Sequence, residues 1–166
     1  VEHADPLSAE AKAAVTVAEI DPAAAVRMAR AVAIKNPELG VGVAAGVATV
    51  DKIDVLKLYS VMKETIPSKI QEVTRAIVMT RPELAYELVS QLAKWQPEHV
   101  IEVAAQIGSS LPELRVEMAR VAAEAAPESA IEIAQYYAHV LAEEHELTKG
   151  FASDILNTVI DTIENT

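Results

Sequence analysis

Five glutamates recur in one register of the chain, each fifteen residues from the next: Glu72, Glu87, Glu102, Glu117 and Glu132. A row of carboxylates offers the oxygen ligands that divalent cations take and the charge that a basic partner recognises. The same row also describes the water-facing side of amphipathic helices, which must be polar. We favour this second interpretation, because helices that alternate between two layers divide the five glutamates into two shorter rows.

Histidine and glutamate give a second candidate for chemistry. His139 and Glu143 are one helical turn apart, and His145 is close by in the sequence. The spacing lacks the two histidines of a HExxH helix, and three converging ligands are not evident. No serine–histidine–aspartate or paired-carboxylate arrangement stands out either. We therefore expect no cofactor and no metal, and we identify no catalytic residue; enzymatic activity is the less favoured alternative.

The charge of the chain bears on its partners. With 25 acidic against 14 basic residues the net charge is −11, which argues against a nucleic-acid partner because phosphate contacts need clustered lysine and arginine. Residues 127–166 hold eight acidic residues against one base. Within them, Glu143, Glu144 and Glu146 are candidate contacts for a cationic protein partner, although we favour the interpretation that they form a solubilising surface.

Trp95 is the other candidate for partner binding, because tryptophan is enriched at the centres of protein interfaces. It falls at the end of a predicted helix. There it can also cover the turn beneath it, and we favour this packing role.

A repeat of fifteen residues organises all these positions. Prolines mark it at Pro22, Pro37, Pro67, Pro82, Pro97, Pro112 and Pro127. Proline is tolerated in the first turn of a helix and disfavours helical geometry in the residue before it, so each proline ends one helix and begins the next. Counting proline as position one, positions seven and eleven are apolar in all eight units, and positions four and five mostly so. This spacing predicts one short amphipathic helix per unit.

The predicted fold is all-α. Short links make successive helices antiparallel neighbours, and no unit can bury its apolar stripe alone. We therefore predict an α-solenoid, a right-handed superhelix of antiparallel helical hairpins with nine or ten mostly short helices. The predicted organisation is a single domain over 1–166, with an N-terminal capping unit at 7–21, eight repeats over 22–141 and a C-terminal capping region at 142–166.

The irregular points of the repeat give separate predictions. Lys52 replaces a proline, and Asp51 before it predicts a helix that begins at Lys52. The helix after Pro127 is expected to run to about Leu147. A last helix, from about Ser153 to Glu164, is expected to fold back onto that helix with its apolar stripe and to leave a monomer.

Glycine is concentrated in one unit, at Gly40, Gly42 and Gly46. The spacing differs from a dinucleotide-binding loop and no strand precedes it, so we expect these glycines to permit close packing of helices. The longest apolar run, Leu39 to Val50, has 12 residues and is too short to span a bilayer.

Units such as PELAYELVSQLAKWQ and PEHVIEVAAQIGSSL resemble the short alanine- and proline-phased repeats of exported bacterial proteins of unknown function. The resemblance covers about residues 22–141, carries no known activity, and differs in period from tetratricopeptide, HEAT and armadillo repeats. It favours a periplasmic or secreted location over a cytoplasmic one. The absence of cysteine leaves the redox compartment open.

Solenoid surfaces generally bind rather than catalyse, so the expected function is that of a non-enzymatic protein-binding or scaffolding protein. Two alternatives stay open. One is a small-ligand-binding or enzymatic helical domain with a pocket between its helix layers. The other is a structural protein that associates with itself.

Overall fold

A computed structural model describes residues 8–129, 131–136 and 149–165. These ranges contain ten helices and no strand, as the sequence predicts. The helices are α1 Ala9–Ile20, α2 Pro22–Lys35, α3 Pro37–Ala48, α4 Val55–Thr65, α5 Ile70–Thr80, α6 Ala85–Trp95, α7 Val100–Ser110, α8 Arg115–Ala125, α9 with described residues 131–136, and α10 Lys149–Glu164. Short 3₁₀ turns precede α5 to α9, at Pro67–Lys69, Pro82–Leu84, Pro97–His99, Pro112–Leu114 and Pro127–Ser129.

The chain forms two compact units, Val1–Pro82 and Glu83–Thr166. In the first unit each helix contacts the next one and also the one after it, as α1 does with α2 and α3. The second unit repeats this pattern, with α6 and α10 both against α8. Within each unit the helices therefore alternate between two layers: α1, α3 and α5 against α2 and α4 in the first unit, and α7 against α6, α8 and α10 in the second. In each unit separately, we call the layer of even-numbered helices the even layer and the other the odd layer. This α-solenoid arrangement of hairpins confirms the predicted fold class. The single domain with its capping units stays a prediction.

The core follows the repeat register. The fourth position is buried in every unit where it is described, and the eleventh is buried from Val47 to Ala122. The seventh is fully buried in seven units, whereas Met28 is half-buried. Each fully buried aliphatic side chain contributes about 1.5–3 kcal/mol, so the repeated positions together hold the hairpins in contact.

The prolines begin their helices in two different ways. Asp21, before the first proline, accepts the N–H of Ala24 on its carboxylate at 3.0 Å, so its carbonyl is left to accept from Ala25 and an α-helix begins at once. Ile66 has no side-chain acceptor. Its carbonyl therefore takes the N–H of Lys69 at 2.8 Å, three residues on, and the first turn is a 3₁₀ turn.

Arg115 is the only charged residue at the fourth repeat position, and it is 2% exposed. Its Nε donates to the carbonyl of Gly108 at 2.9 Å. In a continuous helix that carbonyl would accept the N–H of residue 112, but Pro112 has none. The arginine therefore caps the end of α7 at a carbonyl that the proline leaves without its helical donor.

A buried hydrogen bond joins the eighth positions of two successive units. The Tyr59 hydroxyl lies 2.6 Å from Thr74 Oγ1, and the threonine hydroxyl also lies within hydrogen-bond distance, 2.7 Å, of the Ile70 carbonyl. Burial raises the pKa of Tyr59 to about 12, although the bond to Thr74 opposes the shift. Tyr59 is 1% exposed and is therefore a packing residue of the core.

Two predicted helix starts are wrong. α4 begins at Val55 rather than Lys52, because Asp54 accepts the N–H of Lys57 at 3.1 Å and caps the helix there. The last helix begins at Lys149 rather than near Ser153. The expected extension of the helix after Pro127 to about Leu147 lies outside the described residues.

The apolar stripe of α10 is only partly covered. Ile155 and Val159 are buried, and α10 packs on α8. The predicted contact with the helix after Pro127 stays a prediction, because only part of that helix lies within the described residues. Leu156 and Ile160 are 46% and 42% exposed. Part of the predicted cap is therefore an apolar surface.

Close packing requires glycine at one of three positions. A Cβ on Gly40 would lie 2.6 Å from both Cα and Cβ of Ala33 in α2. A Cβ on Gly46 would lie at ordinary contact distance, 3.4 Å from Val15. A Cβ on Gly42 would meet nothing within 4 Å. The expectation is confirmed at Gly40 and wrong at Gly42.

Candidate functional site

Grooves lie between neighbouring helices of the even layer in each unit. The first unit has a groove of about 370 Å³ between α2 and α4. The second unit has one of about 500 Å³ between α8 and α10 and one of about 170 Å³ between α6 and α8. The first unit also has a polar depression of about 370 Å³ where the end of α1 meets the turn after α3.

We call the groove between α2 and α4 the cationic groove. Its walls and one end carry four cationic side chains and one carboxylate: Arg27, Arg30, Lys52, Lys57 and Asp54. Four positive charges against one negative charge give the groove a net charge of +3. Its apolar surface comes from Pro22, Ala23, Val26 and Val61. This is a local excess of positive charge in a chain of net charge −11.

Helix geometry places the cations on facing walls. Arg27 and Arg30 are three residues apart on α2, so they project from the same side of that helix. On α4, the cap formed by Asp54 puts Lys57 in the first turn, one helical turn before Val61. The two walls therefore present two arginines on one side and a lysine followed by a valine on the other.

The cations of the groove are available to a ligand. Arg27, Arg30 and Lys57 are exposed, and none takes part in an ion pair among the residues that the structure describes. Lys52 donates from Nζ to the Glu19 carbonyl at 3.2 Å, a contact that leaves its charge without a carboxylate.

The grooves of the second unit differ, because their charged groups engage one another. The Arg120 guanidinium lies 4.4 Å from the centre of the Tyr86 ring, and its Nη2 is 3.9 Å from Glu117. The Tyr86 hydroxyl donates to Glu124 Oε2 at 2.5 Å. This hydrogen bond, followed by burial, raises the pKa of Tyr86. The α8–α10 groove has a polar lining of mixed charge that includes Arg120, Glu124 and Asp161.

The glutamate column is divided between the layers, as expected. Glu87 and Glu117 are in the even layer, whereas Glu72 and Glu102 are in the odd layer. Lys69 bonds to Glu38 and to Glu72, the latter at 3.2 Å, and these bonds raise the pKa of Lys69. In the described part of the chain, no group of three or more histidine, aspartate or glutamate side chains is placed to hold a metal. The column is a polar surface with local ion pairs.

The predicted partner-binding residues are only partly described. Trp95 is the last residue of α6, is half-buried and interacts with other groups of the chain. Its role in partner binding stays a prediction. Glu143, Glu144 and Glu146 lie outside the described residues, as do His139 and His145.

The cationic groove was missed at the level of sequence, although a signal for it exists. Position six of successive even-layer helices reads Arg27, Lys57, Glu87 and Glu117. The sign of the charge therefore reverses between the two units. The two basic residues, Arg27 and Lys57, are thirty residues apart in the sequence, and the same register holds a glutamate in each of five successive units, so the basic pair is not conspicuous.

The fold and the grooves define an all-α helical-repeat protein. No protein-family model, curated protein or solved structure matches the chain. Among the described helices, none combines the length and the apolar character needed to span a membrane.

Proposed function

We propose that this protein is a non-enzymatic binding protein that holds a protein partner in the grooves between its even-numbered helices. The placement of the grooves supports the proposal: each unit has a groove between neighbouring helices of its even layer, although the first unit also has a depression of similar volume beside α1. Most charged side chains that line these grooves are exposed, whereas Val26 and Val121 at their floors belong to the core. Solenoid repeats use such extended surfaces to bind other macromolecules.

The alternative of a small-ligand or catalytic pocket predicts a different location. Such a pocket was expected between the two helix layers, where apolar walls enclose a ligand. The volumes above instead lie within one layer and open onto the surface. We also propose that the protein is exported. Only the resemblance of its repeats to those of exported bacterial proteins supports this part of the proposal.

Site-specific photo-crosslinking in the native source tests the proposal. A photoreactive amino acid at Ala23 in the first unit, or at Ser90 in the second, is expected to capture a specific protein, since each position lines a groove of the even layer in its own unit. The matched positions Ala13 and Ser109 are exposed on odd-layer helices α1 and α7 and should not capture it. Equal capture from both layers, or no specific product from either even-layer position, would reject the proposal.

A further inference from the structure

We infer that the cationic groove binds an acidic, extended segment of a protein partner, with carboxylates directed at α2 and an apolar side chain directed at α4. The inference rests on the proposed protein-binding function and specifies the chemistry of the partner. It starts from the net charge of +3 in a groove of about 370 Å³. A single carboxylate would leave most of that charge uncompensated, so several anionic groups on one ligand fit better.

The dimensions of the groove favour an extended chain. Residues one helical turn apart, such as Arg27 and Arg30, have Cβ atoms separated by about 5–6 Å. In an extended segment, side chains at alternate positions point the same way and are about 6.6 Å apart, at 3.3 Å per residue. Two glutamates separated by one residue can therefore face the two arginines.

The intervening side chains of such a segment face the opposite wall, on α4. That wall presents Lys57 and, one turn later, Val61, which is half-buried. One of these side chains is therefore expected to be acidic and the other apolar. The groove therefore recognises a sequence in which one small apolar residue is flanked on both sides by acidic residues.

The charge of the rest of the unit adds specificity. Residues 1–82 hold ten acidic and ten basic residues, so the unit outside the groove has a net charge of −3, and like-charge repulsion there disfavours wrong placements of an acidic partner. A nucleic acid carries its phosphates along a much longer track than this groove, and beyond the groove the unit offers no excess of positive charge to neutralise them. The observations therefore favour a short acidic peptide segment over a polynucleotide.

Binding of a defined peptide tests the inference. The probe is a fluorescein-labelled peptide, Glu-Glu-Val-Glu-Glu, and fluorescence anisotropy measures its dissociation constant with the full chain at 50 mM salt. Replacing Arg27 and Arg30 with glutamine is expected to weaken binding by about two- to thirtyfold, since two exposed charge contacts at roughly 0.2–1 kcal/mol each contribute roughly 0.4–2 kcal/mol together. Raising the salt to 300 mM should weaken binding further, because exposed charges are screened.

A matched variant controls for net charge. Lys12 and Lys35 are exposed in the same unit and do not line the groove, so their replacement with glutamine removes two charges elsewhere. This variant should bind within about twofold of wild type, because removal of distant surface charges has little local effect. All four replaced side chains are exposed, and circular dichroism melting confirms that both variants fold.

Several outcomes would overturn the inference. Equal weakening by the two double variants would show attraction to charge in general, and equal binding of the Gln-Gln-Val-Gln-Gln peptide would remove the role of carboxylates. Tighter binding of a ten-residue oligothymidylate than of the peptide would point to a polynucleotide, and full displacement by 5 mM inorganic phosphate would point to a small anion. Crosslinking from Ala23 and Ser90 together with a silent peptide assay would leave the proposed function standing and reject this inference alone.

Discussion

Replacement of Gly40 by alanine tests the closest helix contact in the first unit. The new methyl group would lie 2.6 Å from the backbone and side chain of Ala33, whereas ordinary contact begins at about 3.4 Å. α2 and α3 must therefore separate locally by about 0.8 Å, the difference between these two distances. A backbone atom cannot rotate away, so the strain falls on the packing of both helices.

The magnitude follows from two opposing effects. Overpacking of a well-packed contact costs about 1–3 kcal/mol, and exchange of glycine for alanine within a helix returns about 1 kcal/mol. Gly40→Ala is therefore expected to lower the free energy of unfolding by up to about 2 kcal/mol. Gly42→Ala, two residues away with open space around it, should raise that free energy by about 0.5–1 kcal/mol.

Urea denaturation and thermal unfolding, both followed by circular dichroism at 222 nm, compare the two variants with wild type. We expect the order of stability Gly42→Ala, wild type, Gly40→Ala, and a separation of about 4–8 °C in melting temperature for each 2 kcal/mol. If Gly40→Ala were as stable as Gly42→Ala, the close approach of α2 and α3 would be wrong and the reasoning refuted.

Three further predictions concern the core and the C-terminal helix. The free energy of unfolding should be level up to about pH 10 and fall by about 3 kcal/mol between pH 10 and 12, because Tyr59 ionises near 10 when unfolded and near 12 when folded. In Tyr59→Phe this decrease in the free energy of unfolding should be absent. If urea titrations gave the same decrease between pH 10 and 12 for the variant and for wild type, the prediction would be contradicted. Val103→Asp places a charge at a fully buried position of α7 and should cost several kcal/mol, whereas wild-type stability would show that the repeat register is wrong. Deletion of residues 149–166 uncovers the surface of α8 that buries Ile155 and Val159 and should cause aggregation in light scattering, so an unchanged monomer would argue against it.

The helices themselves were predictable from sequence, because proline phase and apolar spacing act locally. How each helix begins was less predictable, since it depends on one side chain. Asp21 allows an α-helical start and Ile66 does not, and Asp54 rather than Asp51 caps α4. A prediction from proline position alone treats these starts as equivalent.

The candidate site was less accessible than the fold. Arg27 and Lys57 belong to units thirty residues apart, and they share a groove only because the intervening helix α3 lies in the other layer. Composition averaged over the first unit hides their charge among acidic neighbours. The acidic residues near Glu143 stood out in the sequence because they are adjacent, which is a weaker indication of a shared surface.

The alternation of layers has a consequence for how such a chain can grow. Insertion of one fifteen-residue unit into either compact unit would transfer every later helix of that unit to the opposite layer, and side chains that line grooves would face the other side. Insertion of two units restores the original assignment. Duplications that preserve a binding surface must therefore add thirty residues at a time, so related chains of different length should differ by even numbers of repeats.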